Sequence, residues 1–262
     1  NAVMLFGMSR LDPDTTEVNH IMISPEGHTR VGDLLERFVR EGGGLYVYGC
    51  SFTSMGLGWA TQTMNAFLNR FDAEVAFERL YDPAREQQGP RGVRYALADR
   101  VGAHPATEGV ENLWYPVGMH ASGPWTRGLL LGEDWTPLVY TSSAYEATPM
   151  GDPRGRGHVE SGEPSRLPAG GAPTYAARSY GQGRIVLSGG ESTISFFGYG
   201  YDVWGRVTGE AGLDGVPSDG VRLLVSSLKW LTAPSRQSEV LGGYEPPQQS
   251  VARPQPRPLN WA

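Results

Sequence analysis

The chain has 262 residues, 39% hydrophobic and 19% charged, enough for a full core without disulfide or metal staples. A net charge of -6 and a pI near 5.4 leave no clustered basic surface for phosphates, which excludes nucleic acid as the expected partner. A single cysteine, Cys50, excludes an intramolecular disulfide framework and a Cys-based zinc cluster, and no apolar run reaches the roughly 18–20 residues of a membrane span.

From the amino end, Ala2 to Phe6 is a short apolar run stopped by Gly7, and His20 to Ser24 is another, closed by Pro25. Both have the length of buried strands. LDPDTTEV between them reads as a connection, in which Asp12 and Asp14 stand at the strand end where ligands of open α/β sheets bind and are equally explained by turn formation. Thr29 is placed to cap a helix in which Val31, Leu34, Leu35, Phe38 and Val39 form one apolar stripe. Gly42, Gly43 and Gly44 stop that helix. Because they follow a helix instead of opening one, they are a C-terminal stop and not a phosphate cradle, and no cofactor is expected.

Leu45 to Tyr48 is continuous and β-rich, the pattern of a central strand covered on both faces. Met64, Phe67, Leu68 and Phe71 mark a second helix, and Glu74 to Leu80 reads as the strand after it. The alternation predicts right-handed crossovers and an α/β fold of flavodoxin-like type: a mostly parallel sheet with helices on both faces, a late β-hairpin and long Gly/Pro-rich loops. Shorter strands are expected near Leu113 to Pro116, Leu138 to Thr141, Tyr175 to Ser179 and Arg184 to Ser188, the last two joined through Gly181 and Gln182 as a hairpin. Val221, Leu224, Val225, Leu228 and Leu231 make a closing helix ended by Thr232, Ala233 and Pro234. Residues 1–233 therefore form the domain and 234–262 a Pro-rich tail.

Three stretches stand apart from the core pattern. Ser142 to Pro173 is rich in Gly and Pro and reads as a long loop of the functional or disordered kind. Phe196, Phe197, Tyr199, Tyr201 and Trp204, interleaved with glycines, form an aromatic loop, read as a cluster packed over a sheet edge in preference to a pocket for a sugar or other small ligand. In the tail, EPPQQ and ARPQPRPLNWA favour extended polyproline II, with Leu259 and Trp261 as apolar anchors for docking. The tail and the aromatic loop are the expected sites of contact with other protein subunits.

The order HIMISPEG, a helix ending FVREGGG, then LYVYGCS resembles the class I glutamine amidotransferase-like superfamily, including its trehalose-utilisation-like branch. HPATEGV, from His104 to Val110, and YGQGRIVLSGGE, from Tyr180 to Glu191, resemble two further phrases of that superfamily. The resemblance covers most of residues 1–233 and implies a nucleophile at Cys50, at a sharp turn after the strand, with Glu191 at the end of the late hairpin strand. Two departures bear on activity. The superfamily's elbow has Gly two residues to either side of the cysteine, where this chain has Tyr48 and Phe52, and its His-Pro-Glu phrase is replaced by Ser188-Gly189-Gly190-Glu191. His158-Val159-Glu160 repeats the His-x-Glu spacing but lies before the hairpin.

A cysteine without a neighbouring base is mostly thiol near neutral pH. The expected function is therefore a noncatalytic binding or scaffold subunit of a larger assembly, in peripheral contact with a membrane complex or independent of one. The alternative is a cysteine-dependent hydrolase or amidotransferase acting on an amide or carbohydrate-like small molecule through Cys50 and Glu191. No metal is expected, since His20, His28, His104 and His120 show no ligand spacing. Asn1 is not an initiator Met, so the reading allows for export with a processed N-terminus; the expectation is a soluble chain of open compartment.

Overall fold

The computed structural model describes residues 2–6, 9–10, 22–23, 25–48, 64–117, 126–150, 161–190 and 205–237. In chain order these include strands β1 (Ala2–Phe6), β2 (Ser9–Arg10) and β3 (Met22–Ile23), helix α1 (Pro25–Arg40), and β4 (Gly44–Tyr48). After helical residues 64–68 come β5 (Ala73–Val75), β6 (Glu78–Tyr81), β7 (Gln87–Gln88), β8 (Arg94–Leu97), β9 (Arg100–Val101) and β10 (Trp114–Val117). The remainder comprises β11 (Leu129–Leu131), β12 (Thr136–Tyr140), β13 (Glu146–Pro149), β14 (Pro173–Tyr180), β15 (Gly183–Ser188) and helix α2 (Gly220–Gln237).

The main sheet has six strands in the order β1-β4-β15-β14-β12-β9. Its two faces are built by the alternation of β4. Leu45 and Val47 point to one side, where they meet Val39 of α1, Phe67 and Phe71 of the following segment, and Ile185 and Leu187 of β15. Tyr46 and Tyr48 point to the other side, against Leu223, Leu224 and Leu231 of α2 and Val186 of β15. With helices over both faces, all five residues of β4 are buried, which is why the run carries no polar alternation. Burying each of these leucine, valine or phenylalanine side chains contributes about 1.5–3 kcal/mol.

α1 begins earlier than the capping pattern at Thr29 predicts. Pro25 is its first residue, a place where the missing N–H costs nothing and the fixed φ is already helical, so Pro25 opens the helix instead of closing a strand. The predicted stop is where it should be. Gly43 N–H reaches Phe38 O at 2.9 Å and Gly42 N–H reaches Val39 O at 2.9 Å, with Gly42 at φ 109. That pair of bonds is the Schellman arrangement, and its left-handed residue favours glycine.

Among the described residues the main sheet is mixed, and not the mostly parallel one expected. β1, β4 and β15 are mutually parallel, but β15–β14, β14–β12 and β12–β9 are antiparallel. One cause is the two-residue turn at Gly181 and Gln182, which returns the chain directly, whereas a parallel neighbour needs a long crossover. Gly181 has φ 59 at the first central position, the pattern of a type II′ hairpin. The other cause lies in the segment expected to supply a further parallel strand. Asn65 accepts from Val75 N–H at 2.8 Å and donates to Val75 O at 3.0 Å, so its amide occupies the backbone groups a sheet neighbour would use. The expected strand from Glu74 to Leu80 is accordingly two short pieces, with β5 paired to β11 and β6 to β13, outside the main sheet. β13 also places an ordered strand inside the stretch read as a loop from Ser142 to Pro173.

α2 runs through Pro234 to Gln237, past the predicted stop. Proline at 234 removes the N–H that would bond Trp230 O. That carbonyl instead accepts from the Arg184 guanidinium at 2.6 Å.

Candidate functional site

In an α/β sheet, chemistry is expected where parallel strands end at their carboxyl edge. Here β4 and β15 are adjacent and parallel, and their last residues, Tyr48 and Ser188, are register partners. Cys50 follows the first strand end by two residues and Glu191 follows the second by three. Both lie outside the described residues, as do Phe52, His158, Glu160, Asp12, Asp14, Phe196, Phe197, Tyr199, Tyr201, Trp204, Leu259 and Trp261. The structure thus brings together the two strands that lead into the expected pair.

The strand ends themselves are well defined. Tyr48 is 5% exposed and packs in the α2-side core, so the position where an amidotransferase-like elbow has glycine is filled by a buried ring. Aligning Glu191 with the acid of His-Pro-Glu puts the histidine's place at Gly189. Gly189 is clasped by backbone on two sides, donating to Thr174 O at 2.8 Å and accepting from Arg127 N–H at 2.8 Å. A Cβ added there would stand 2.2 Å from Arg127 O. Gly189 is not among the residues with positive φ, so this contact, and not backbone strain, is what requires glycine.

The histidine whose side chain is described, His104, sits elsewhere. Its Nδ1 accepts Ala106 N–H at 3.0 Å and so caps the short turn Pro105–Thr107, while its ring meets Trp230 edge-on at 4.8 Å. Trp230 in turn lies under Arg184, the second residue of β15, at 4.9 Å. His104 therefore stands at the amino edge of the sheet. From Gly44 to Tyr48 the strand rises about 13 Å at roughly 3.3 Å per residue, which separates this imidazole from the carboxyl edge. Burial, and then the positive charge of Arg184, hold the His104 pKa below the usual histidine range. It is a neutral capping acceptor, and the HPATEGV phrase is a buttress for α2: Ser227 donates to Ala106 O at 3.1 Å and Ser226 to Glu108 O at 3.0 Å.

No family model and no curated protein sequence matches the chain. Among solved structures, the mmIFT52 N-terminal domain aligns with a TM-score of 0.49 and 11% identity over 88% of this chain and 77% of that one. Cytoplasmic protein STM1381 from Salmonella typhimurium LT2 gives 0.34 and 16% identity over 71% and 59%, and cytoplasmic protein STM3548 from Salmonella typhimurium gives 0.35 and 16% over 80% and 62%. Similarity at this level assigns no activity, so function must be argued from the residues.

Among the depressions of the described surface, two are defined by their lining. One, about 440 Å³, is lined by Ala84, Arg85, Glu86, Gln87, Leu97, Trp114 and Val216, and its charges are already paired, Arg94 with Glu86 at 2.5 Å and Arg85 with Asp99. The other lies at the carboxyl end of β15, between β10, β14 and the start of α2, where its lining joins the apolar Leu113 and Leu223 to the hydroxyl-bearing Tyr115, Thr126, Thr174 and Ser188. Among the described residues no group of three His, Cys, Asp or Glu side chains could hold a metal, and no helix is long and apolar enough to cross a membrane. Sequence reasoning missed Arg127 and Thr126 because they act on β15 from 60 residues away, and nothing local in GPWTRGLL signals that approach.

Proposed function

We propose that the chain is a noncatalytic binding subunit of a larger protein assembly, built on an amidotransferase-like α/β domain that lacks the acid–base centre. The observation that carries this reading is the clasp at Gly189, where the superfamily's imidazole would stand and a side chain would meet Arg127 O at 2.2 Å. The position of His104 at the opposite edge of the sheet supports it. Without an imidazole a thiol near neutral pH is mostly protonated, and among the described residues no histidine stands at that strand end to serve as general acid. On this reading the aromatic loop from Phe196 to Trp204 and the tail with Leu259 and Trp261 are contact surfaces, and contact with a membrane complex would be peripheral.

The test compares the full chain with a version ending at Gln237, each isolated from its native source under mild conditions and sized by sedimentation. The full chain is expected in a stoichiometric complex and the shortened chain as a folded monomer. Equal association of both would defeat the assembly reading. Because Cys50 is the sole cysteine, iodoacetamide adds one adduct that mass spectrometry counts, and alkylation near neutral pH is expected to be no faster than for an ordinary thiol.

A second reading, a cysteine-dependent hydrolase or amidotransferase, is favoured by the Tyr48–Ser188 register, since Cys50 and Glu191 then follow neighbouring strand ends. Rapid alkylation, with amide hydrolysis lost in Cys50→Ser, would support it.

A further inference from the structure

The hydroxyl-lined cavity beside β15 holds polar groups whose bonding is incomplete. Thr126 is 3% exposed, and its Oγ1 is buried with no protein hydrogen-bond partner. Tyr115, 3% exposed, accepts Ser142 N–H at 3.3 Å, and among the described residues no protein acceptor takes its own proton. Burial, and less strongly the nearby charge of Asp82, push the Tyr115 pKa up, so the phenol stays a donor. Thr174 Oγ1 reaches Val139 O only at 3.4 Å, far beyond the usual O–H···O distance of about 2.7–2.8 Å. Tyr175, by contrast, is satisfied by Ser227 at 2.9 Å and belongs to the wall.

Volume and charge narrow what these groups bind. The space open to the centre of a water-sized molecule is about 20 Å³, enough for one water. Among the described residues no charged side chain lines it, and an unpaired ion in such a place costs several kcal/mol. A cation is further disfavoured by the positive end of α2 at Gly220, and an anion by the Asp219 carboxylate just before it, which already accepts Glu111 and Asn112 N–H at 2.9 and 3.1 Å. We propose that this is a specific internal binding site for one water molecule, held by Thr126 Oγ1 and the hydroxyls of Tyr115 and Thr174, which joins β10 and β14 at the carboxyl end of β15. Such a water makes two to four bonds and completes groups that protein atoms leave open.

The inference does not depend on whether the chain is catalytic. It is tested by a crystal structure of the full chain at a resolution that shows ordered solvent, together with the melting midpoints of Thr126→Val and Thr126→Ser. Wild type should show a solvent peak within hydrogen-bond reach of Thr126 Oγ1. Thr126→Val should lose it and melt a few degrees lower, and Thr126→Ser should keep it. Val removes the hydroxyl at nearly constant shape, so if the cavity were dry the change would raise the midpoint by deleting an unpaired buried oxygen. A cavity without the peak, or Thr126→Val melting at or above wild type, overturns the proposal. So does a wild-type midpoint that rises when chloride replaces gluconate at constant ionic strength, because the ligand would then be an ion. If Thr126→Val does not fold, the wild-type density decides alone.

Discussion

The decisive perturbation is Gly189→Ala. Its added Cβ would lie 2.2 Å from Arg127 O, whereas ordinary van der Waals contact begins near 3.4 Å, so two backbone segments must part by about an ångström. Neither is free to move: Gly189 bonds Thr174 O and Arg127 N–H, both at 2.8 Å, and β15 is locked into register with β4 and β14. Overpacking of this kind costs about 1–3 kcal/mol, and loosening one of the two bonds adds about 1 kcal/mol. The lowered entropy of the unfolded chain returns at most about 1 kcal/mol. The net loss is about 1–3 kcal/mol, which for a domain of this size lowers the melting midpoint by roughly 2–12 °C. Gly102→Ala is the matched control, because its Cβ would meet Leu138 O at 3.5 Å, and it should stay within about 0.5 kcal/mol of wild type. Thermal and urea unfolding of the three proteins measures the difference. If Gly189→Ala were as stable as wild type, the strand end would have room for a side chain, and the structural case against an imidazole there would fail.

Two further outcomes follow from the amino edge of the sheet. Arg184→Met leaves Trp230 O unpaired and removes the cation over the Trp230 ring, for a loss of about 2–3 kcal/mol; in a Pro234→Ala background a helical N–H takes that carbonyl, so a double-mutant cycle should show about 1–2 kcal/mol of coupling, and strict additivity would reject the compensation. His104 has a folded pKa below its unfolded value, so its contribution is complete above about pH 6.5 and is lost as pH falls through the folded value. His104→Asn keeps a capping acceptor but does not titrate, so it should flatten that part of the stability profile, and an unchanged profile would mean other groups dominate it.

The parts of the fold visible in the sequence were those fixed by local periodicity. The stripe from Val31 to Val39, the run from Leu45 to Tyr48 and the Gly181–Gln182 turn each form an element near the expected place, because 3.6-residue and two-residue repeats and turn chemistry act over short distances. Strand partners were not visible. Glu74 to Leu80 stays outside the main sheet, where Asn65 takes both backbone groups of Val75 and β11 and β13 pair with the two pieces. Likewise, the absence of histidine from Ser188-Gly189-Gly190-Glu191 was plain in the sequence, but the reason glycine is needed was not. It depends on Arg127, which reaches β15 through tertiary packing.

The two edges of the sheet use their polar groups differently, and this bears on where recognition belongs. At the amino edge the described groups are paired and mutually bracing. Arg40 and Tyr180 bond Glu36 at 2.7 and 2.8 Å and hold its carboxyl below the usual carboxylate range, Arg70 joins them at 3.1 Å, and Arg184 completes the end of α2. Such a network ties α1, the hairpin and α2 to one another and leaves little capacity for a ligand. At the carboxyl edge Thr126 lacks a protein partner, Thr174 has only a long bond, and Gly189 closes the strand end to side chains. An edge so arranged can take a water into its wall but leaves no room for a side chain at Gly189. The proposed binding role of the segments that continue from β4 and β15 is therefore tested first by truncation and alkylation.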